Sequence, residues 1–139
     1  MAYHYGERST RVLDTLHPDL QTLFLEVIKY KDVSLYEGHR SDERQAELLL
    51  AGKTKVGPGE SKHNLWPSEA VDQIPYPFAE EDWQDRDLFH LHAGFILGIA
   101  EMLYAQGKMT RRVRWGGDWD KDWEASDNEF DDFPHIELA

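Results

Sequence analysis

The sequence contains no cysteine among its 139 residues. A disulfide framework is therefore excluded, and so is a metal site built from thiolates. Any transition metal bound by this chain must use nitrogen and oxygen ligands, which histidine, aspartate and glutamate supply.

The sequence is also poor in positive charge and in long hydrophobic runs. Its 15 lysine and arginine residues stand against 27 acidic residues, which gives a formal net charge of -12. This balance argues against nucleic-acid partners, because proteins bind phosphate backbones with lysine and arginine. The first residues lack the apolar core of a signal peptide, and no segment is expected to approach the roughly 20 apolar residues of a membrane span. We expect a protein that is made in the cytoplasm and does not insert into a membrane.

The residue pattern predicts helices and short strands in a single domain over residues 1–139. Apolar residues recur every three or four positions from Ser9 to Tyr30, which predicts a helix that Pro18 breaks or restarts. The elements predicted after it are a strand at Val33–Glu37, a helix from Asp42 to about Ala51 with Ser41 as N-cap, a strand at Ala70–Ile74, a helix from about Asp85 to Gln106, a polar aromatic loop from Trp115 to Phe130 and a strand at Pro134–Leu138. This order favours an α+β fold, with a small antiparallel sheet and flanking helices, over a wound parallel sheet.

Three polar side chains are candidates for a metal site: His63, Asp72 and His135. His63 lies in a predicted loop, Asp72 lies on the strand that follows, and His135 must arrive from another strand. Two imidazoles and one carboxylate form a ligand set of catalytic zinc, which keeps a fourth position open. The simpler alternatives are a solvated histidine, a buried acid bonded to backbone amides, and an ordinary residue at a sheet edge.

Three short motifs occur in order along the chain. They are Gly38-His39-Arg40-Ser41, then Ser61-Lys62-His63 followed by Ala70-Val71-Asp72, and finally Asp132-Phe133-Pro134-His135. They resemble the glycine-x-arginine-serine, S-x-H…A-x-D and acid-x-x-His motifs of a family of zinc peptidases. That family includes D-alanyl-D-alanine carboxypeptidases and dipeptidases and the phage L-alanyl-D-glutamate endolysins. One departure is the spacing of His63 and Asp72, which are nine residues apart and so exceed the usual gap of the family.

The resemblance covers most of the chain and implies a fold like that of hedgehog domains and DD-peptidases. It implies zinc as the cofactor, bound by His63, Asp72 and His135. It also implies Asp132 as the general base and Arg40 as the group that holds the polarised carbonyl. For Arg40, a salt bridge to a neighbouring acid is the alternative.

The roles of three nearby residues, Ser61, Asp131 and Glu137, stay open. Ser61 either bonds to the substrate or caps its own loop. Asp131 competes with Asp132 for the catalytic role. Because side chains alternate along a strand, a local twist or bulge is needed to bring Asp132 to the side of His135. Glu137, two residues beyond His135, is a candidate partner for an imidazole N–H.

A second cation site is suggested by an acidic segment before the last motif. Asp118, Asp120 and Asp122 alternate, and Glu129 is the twelfth residue counted from Asp118, which is the ligand spacing of a calcium loop. Trp123 occupies the sixth position, where that loop favours glycine. A solvated acidic loop is the alternative. A bound calcium ion could order the strand that carries Asp132 and so regulate activity.

The residues and the resemblance together predict a zinc-dependent peptidoglycan peptidase. The preferred hypothesis is a phage endolysin, acting as a monomer, that hydrolyses the L-alanyl-D-glutamate bond of stem peptides. The alternatives are a D-alanyl-D-alanine carboxypeptidase of the same family and a noncatalytic wall-binding or virion structural domain. An endolysin without a signal peptide is expected to accumulate in the host cytoplasm and to reach the cell wall only after the membrane is breached.

Overall fold

The sheet of this protein places its last strand inside rather than at an edge. A computed structural model describes residues 3–124 and 131–139. Within them, the strands are β1 (Val33–Glu37), β2 (Ala70–Pro75), β3 (Val113–Gly116) and β4 (Asp132–Leu138). They form one antiparallel sheet in the order β1-β2-β4-β3, so β4 lies between β2 and β3. The predicted α+β class with a small antiparallel sheet is confirmed.

Four α-helices accompany the sheet in the described residues: α1 (Glu7–Leu13), α2 (Pro18–Val27), α3 (Asp42–Leu50) and α4 (Arg86–Ala105). Short 3-10 turns lie at Lys62–Asn64 and Glu80–Gln84. Pro18 begins α2, where its missing N–H is not needed, so the predicted break is confirmed. The Ser41 hydroxyl accepts a hydrogen bond from the Arg44 backbone N–H at 3.1 Å, which confirms the predicted cap of α3.

The two faces of the sheet differ in character because side chains alternate along each strand. One face adds residues such as Val71, Ile136 and Leu138 to a core shared with α2 and α4. The opposite face carries Asp72 on β2 and His135 on β4, which are paired across the strands. The fold therefore gathers polar side chains on one face and supports them with a packed core on the other.

The strand β3 corrects the sequence prediction of a loop beginning at Trp115. Trp115 and Gly116 end β3 instead, and Trp115 is buried in the core. This strand has four residues, and its only strand partner in the described residues is β4. Four residues are too few to show a clear alternation of apolar and polar side chains. The hydrogen bonds that form β3 come from a segment distant in the sequence.

The helix α4 also differs from expectation. It has 20 residues, and an 18-residue stretch of it has a mean hydropathy of 1.4, which are the length and composition of a membrane span. The expectation that no segment approaches that length and composition is wrong. About a third of this apolar stretch of α4 is buried within the protein. The buried part includes core residues such as Ala93, Ile96 and Ala100.

A buried carboxylate connects α2 to the segment between α4 and β3. Asp19 accepts hydrogen bonds from the Thr110 backbone N–H, the Thr110 hydroxyl and the Arg111 backbone N–H. We expect Asp19→Ala to lower the free energy of unfolding by about 3 kcal/mol, because these donors lose their partner inside the protein. Urea denaturation measures this loss.

The control for Asp19→Ala is Glu43→Ala, which removes an exposed acid from the first turn of α3. It should change the free energy of unfolding by less than about 0.5 kcal/mol. Equal effects of the two substitutions would contradict the structural role of Asp19.

Candidate active site

Two imidazoles and one carboxylate converge on the polar face of the sheet. His63 lies on the 3-10 turn Lys62–Asn64, while Asp72 and His135 lie opposite each other on β2 and β4. His63 Nε2, His135 Nδ1 and Asp72 Oδ1 form a triangle whose sides are each 3.3 Å. A tetrahedral zinc site with ligand distances of about 2.0–2.1 Å has edges of about 3.3 Å. The spacing and the donor set therefore fit a zinc ion.

In each imidazole, the nitrogen that is not a corner of the triangle lies within hydrogen-bond distance of an acceptor. His63 Nδ1 lies 2.7 Å from the Gly38 carbonyl oxygen, and His135 Nε2 lies 2.8 Å from the Glu137 carboxylate. With a proton on each of these outer nitrogens, a neutral imidazole directs the lone pair of its other nitrogen, His63 Nε2 or His135 Nδ1, toward the triangle, as binding of a metal ion requires. The contact with Glu137 agrees with its sequence position two residues beyond His135, on the same side of β4.

The charges around the triangle stabilise one another. Burial raises the pKa of Asp72, but His63 and His135 outweigh it and hold that pKa below its ordinary value. Burial lowers the pKa of His135, but hydrogen bonds to Asp72 and Glu137 outweigh it and raise that pKa to about 9. Burial also raises the pKa of Glu137, but hydrogen bonds to His135 and Arg114 outweigh it and lower that pKa to about 2. Both carboxylates are therefore ionised at neutral pH.

Arg40 is buried beside the triangle and donates to three acceptors of the protein itself. They are a carboxylate oxygen of Glu37, Gln45 Oε1 at 2.9 Å and Asp72 Oδ2 at 3.3 Å. Arg40 thus fixes the Asp72 oxygen that does not face the imidazoles. The salt bridge considered as its alternative role is present, and a role at the polarised carbonyl stays a prediction.

Asp132 reaches the site through an irregularity at the start of β4. Trp115 pairs with Ile136, but the next residue, Gly116, pairs with Asp132, so β4 holds extra residues at this point. A regular strand would place Asp132 and His135 on opposite faces, and such a bulge redirects a side chain. Asp132 Oδ2 lies 4.0 Å from His135 Nδ1. The bulge that the sequence requires is present.

The neighbouring Asp131 has a different partner. Its Oδ2 lies 3.7 Å from Arg86 Nη1, at the start of α4. Asp132, in contrast, lines the groove, where burial and then the charge of Asp72 raise the pKa of its carboxyl. A raised pKa suits a carboxylate to proton transfer near neutral pH. The geometry therefore favours Asp132 over Asp131 as the general base.

Gly116 allows the backbone of Asp132 to come close. A Cβ built on Gly116 would lie 1.9 Å from the Asp132 carbonyl oxygen, which no side chain can tolerate. We expect Gly116→Ala to displace Asp132 and to lower kcat by about tenfold to a hundredfold, since misplacing a group by about 1 Å can cost about a hundredfold. Steady-state kinetics with a zinc assay on the same sample measures this effect.

Gly94→Ala is the control, because nothing lies within 4 Å of a Cβ built on Gly94. It should leave kcat unchanged. An unchanged kcat for Gly116→Ala would show that the close approach of the two strands does not position Asp132.

The triangle opens into a groove with a volume of 690 Å³, whose lining includes Arg40, Ser61 and Asp132. The Ser61 hydroxyl accepts a hydrogen bond from the His63 backbone N–H at 3.1 Å. Ser61 therefore caps the turn that presents His63, as one of its two predicted roles requires. Contact between Ser61 and a substrate stays a prediction.

The acidic segment after β3 forms a second cluster. The carboxylates of Asp118, Asp120 and Asp122 lie within 4.8 Å of one another, whereas the predicted ligand Glu129 lies outside the described residues. Trp123 has a φ of 65°, the left-handed conformation that explains the preference of calcium loops for glycine at this position. Calcium binding stays a prediction, and activity with and without added calcium at fixed zinc tests it.

Several groups that support the site were not identified from the sequence. They are Glu37 and Gln45, which hold Arg40, and the Gly38 carbonyl, which holds His63. Glu37 lies three residues before Arg40 and offered a weak signal of an ion pair. A backbone carbonyl offers none, and a buried glutamine cannot be told from a surface glutamine by its place in a helix.

Comparisons with known proteins agree with this geometry. A sequence model of the phage L-alanyl-D-glutamate peptidase family matches residues 1–139. The chain is similar to the crystal structure of the Serratia marcescens L-Ala D-Glu endopeptidase ChiX, with 26% sequence identity and a TM-score of 0.68. The similarity covers 97% of this chain and 89% of that chain. No curated protein sequence matches the chain.

Proposed function

From the premise that the chain belongs to the phage L-alanyl-D-glutamate peptidase family and is a peptidoglycan peptidase, we propose that it is a zinc-dependent endolysin that hydrolyses the bond between L-alanine and D-glutamate. The observation that carries the cofactor assignment is the triangle of His63, Asp72 and His135, with sides of 3.3 Å. The bond assignment is supported by the family match and by the similarity to an endopeptidase for L-Ala-D-Glu.

The donor set suits zinc better than magnesium or calcium. Two imidazole nitrogens and one carboxylate oxygen form the triangle, and catalytic zinc sites use such sets of three protein ligands. Magnesium and calcium prefer sites built mainly from oxygen atoms. The fixed imidazole orientations, set by Gly38 and Glu137, lower the cost of ordering the site around an ion.

The residues around the triangle have different roles in hydrolysis. When bound, zinc supplies Lewis acidity that polarises a carbonyl and activates water. Asp132 Oδ2 accepts a proton from the attacking water as the carbon–oxygen bond forms. The same carboxyl then donates the proton to the departing nitrogen of D-glutamate, so the peptide bond breaks and L-alanine gains a carboxylate. Arg40 keeps Asp72 in place through its hydrogen bond to Oδ2.

Mass spectrometry of digested peptidoglycan identifies the bond that is cleaved. New N-terminal D-glutamate is expected from the zinc-loaded protein, and a chelated sample should give no product until zinc is restored. Release of free D-alanine would instead identify a carboxypeptidase of the same family. Stoichiometric zinc without product from any wall type would support the noncatalytic alternative.

A further inference from the structure

A second cavity lies beside the catalytic groove and is lined by residues of β1 and β2. It has a volume of 800 Å³, and two of its lining residues, Tyr36 and Trp83, also line the catalytic groove. Tyr76 and Phe78 add further aromatic surface. The cavity and the groove are therefore adjacent, although the hydrolysis described above uses none of these aromatic residues.

The aromatic side chains of this cavity are both supported and accessible. The Trp83 ring contacts Phe78 and Phe89, with ring centroids 4.9 and 5.9 Å away. Trp83 nevertheless stays 42% exposed, and Tyr76 stays 60% exposed. Rigid aromatic rings lose little conformational entropy when a ligand packs on them. Exposed aromatic surface beside an active site is therefore typical of a binding site.

Polar groups lie beside these rings in the same cavity. Arg8 on α1 and Ser34 on β1 both line it, and they offer a guanidinium and a hydroxyl for hydrogen bonds. A ligand that suits both the aromatic rings and these polar groups has an apolar face and polar substituents at its edge. Sugar rings have this character, because their axial C–H groups form an apolar face and their hydroxyl and acetamido groups project from the edge.

The position of the cavity relative to the metal ligands matches the layout of peptidoglycan. Ile74 lines the cavity and lies two residues beyond Asp72 on the same face of β2, a separation of about 7 Å. In peptidoglycan, one L-alanine and a lactyl group separate the scissile bond from an N-acetylated amino sugar. Two extended residue lengths likewise span about 7 Å.

We infer that this aromatic cavity binds the amino sugar of the glycan strand to which the stem peptide is attached, an inference that rests on the proposed endopeptidase function. The apolar face of the sugar packs on Trp83 and Tyr76, and its polar substituents bond to Arg8 and Ser34. The protein therefore prefers stem peptides that are still joined to glycan over free peptides.

Two substrates that differ only in the sugar test this inference: a stem peptide on a disaccharide, and the same peptide ending in a lactyl group. On the first, Tyr76→Ala and Trp83→Ala should each lower kcat/KM by about tenfold, which corresponds to about 1.4 kcal/mol, because each variant removes an aromatic surface on which the sugar packs. On the second, Tyr76→Ala, whose side chain does not line the catalytic groove, should stay within about twofold of the unsubstituted protein. Tyr30→Ala is the control, since Tyr30 is 61% exposed and does not line the cavity.

The alternative outcomes separate this inference from the proposed function. Equal losses on both substrates would show that the cavity binds peptide, and unchanged kcat/KM on the disaccharide substrate would also overturn the inference. If Trp83→Ala does not fold, Tyr76→Ala decides. If the protein cleaves neither substrate, the proposed function fails. An NMR titration with the disaccharide alone then decides, because shifts at Tyr76 and Trp83 support sugar binding and their absence overturns it.

Discussion

Replacing His135 by alanine is expected to abolish the proposed zinc binding and to lower kcat/KM by about a thousandfold or more. The side chain supplies one corner of the triangle, with Nδ1 at 3.3 Å from both His63 Nε2 and Asp72 Oδ1. Loss of a metal that contributes several kcal/mol to stabilising the transition state accounts for this magnitude. Elemental analysis of the purified variant and hydrolysis of peptidoglycan measure the two effects.

The control for His135→Ala is His39→Ala, because His39 is an exposed histidine outside the triangle. It should bind one equivalent of zinc and keep its activity. A His135→Ala protein that is folded by circular dichroism and still holds stoichiometric zinc would contradict the assigned ligand set.

Replacing Asp132 by asparagine is expected to lower kcat by about a hundredfold to ten-thousandfold, the usual contribution of a positioned proton-transfer group. The amide keeps the shape of the carboxylate but cannot accept a proton from the attacking water. Zinc content should stay at one equivalent, because Asp132 Oδ2 lies 4.0 Å from His135 Nδ1 and is no corner of the triangle. Kinetics on zinc-loaded samples therefore separates loss of the base from loss of the metal.

The adjacent residue provides the matched control. Asp131→Asn removes the same charge one position earlier, where the carboxylate lies near Arg86, and should leave kcat within about twofold. If Asp131→Asn showed the large loss and Asp132→Asn did not, the assignment of the general base would have to be exchanged.

The convergence of His63, Asp72 and His135 was predictable from the sequence, whereas the path of Asp132 to them was not. The motifs that contain His63, Asp72 and His135 identify their residue types, and alternation along β4 places Glu137 beside His135. The bulge depends on Gly116, which lies sixteen residues before Asp132 and meets it only through the pairing of β3 with β4. Sequence periodicity describes single strands and carries no information on such a pairing.

The elements were predictable where local chemistry determines them. Pro18 and Ser41 mark the starts of α2 and α3 through local effects, the fixed φ of proline and the capping hydroxyl of serine, that need no distant partner. The strand β3 was not predictable, because its four residues gain their hydrogen bonds from β4. Arg40 shows the same limit, because its charge is evident from the sequence, but its bonds to Gln45 and Asp72 exist only in the folded chain.

The place of β4 inside the sheet has a consequence for the order of events during synthesis. Domains generally begin to fold while the ribosome is still adding residues. Here β2 and β3 face each other across a gap that only β4 can fill, and β4 also supplies both His135 and Asp132. A nascent chain that ends before residue 132 therefore lacks both the strand that joins β2 to β3 and two residues of the proposed active site. With the site residues proposed above, hydrolytic activity requires that β4 has been translated.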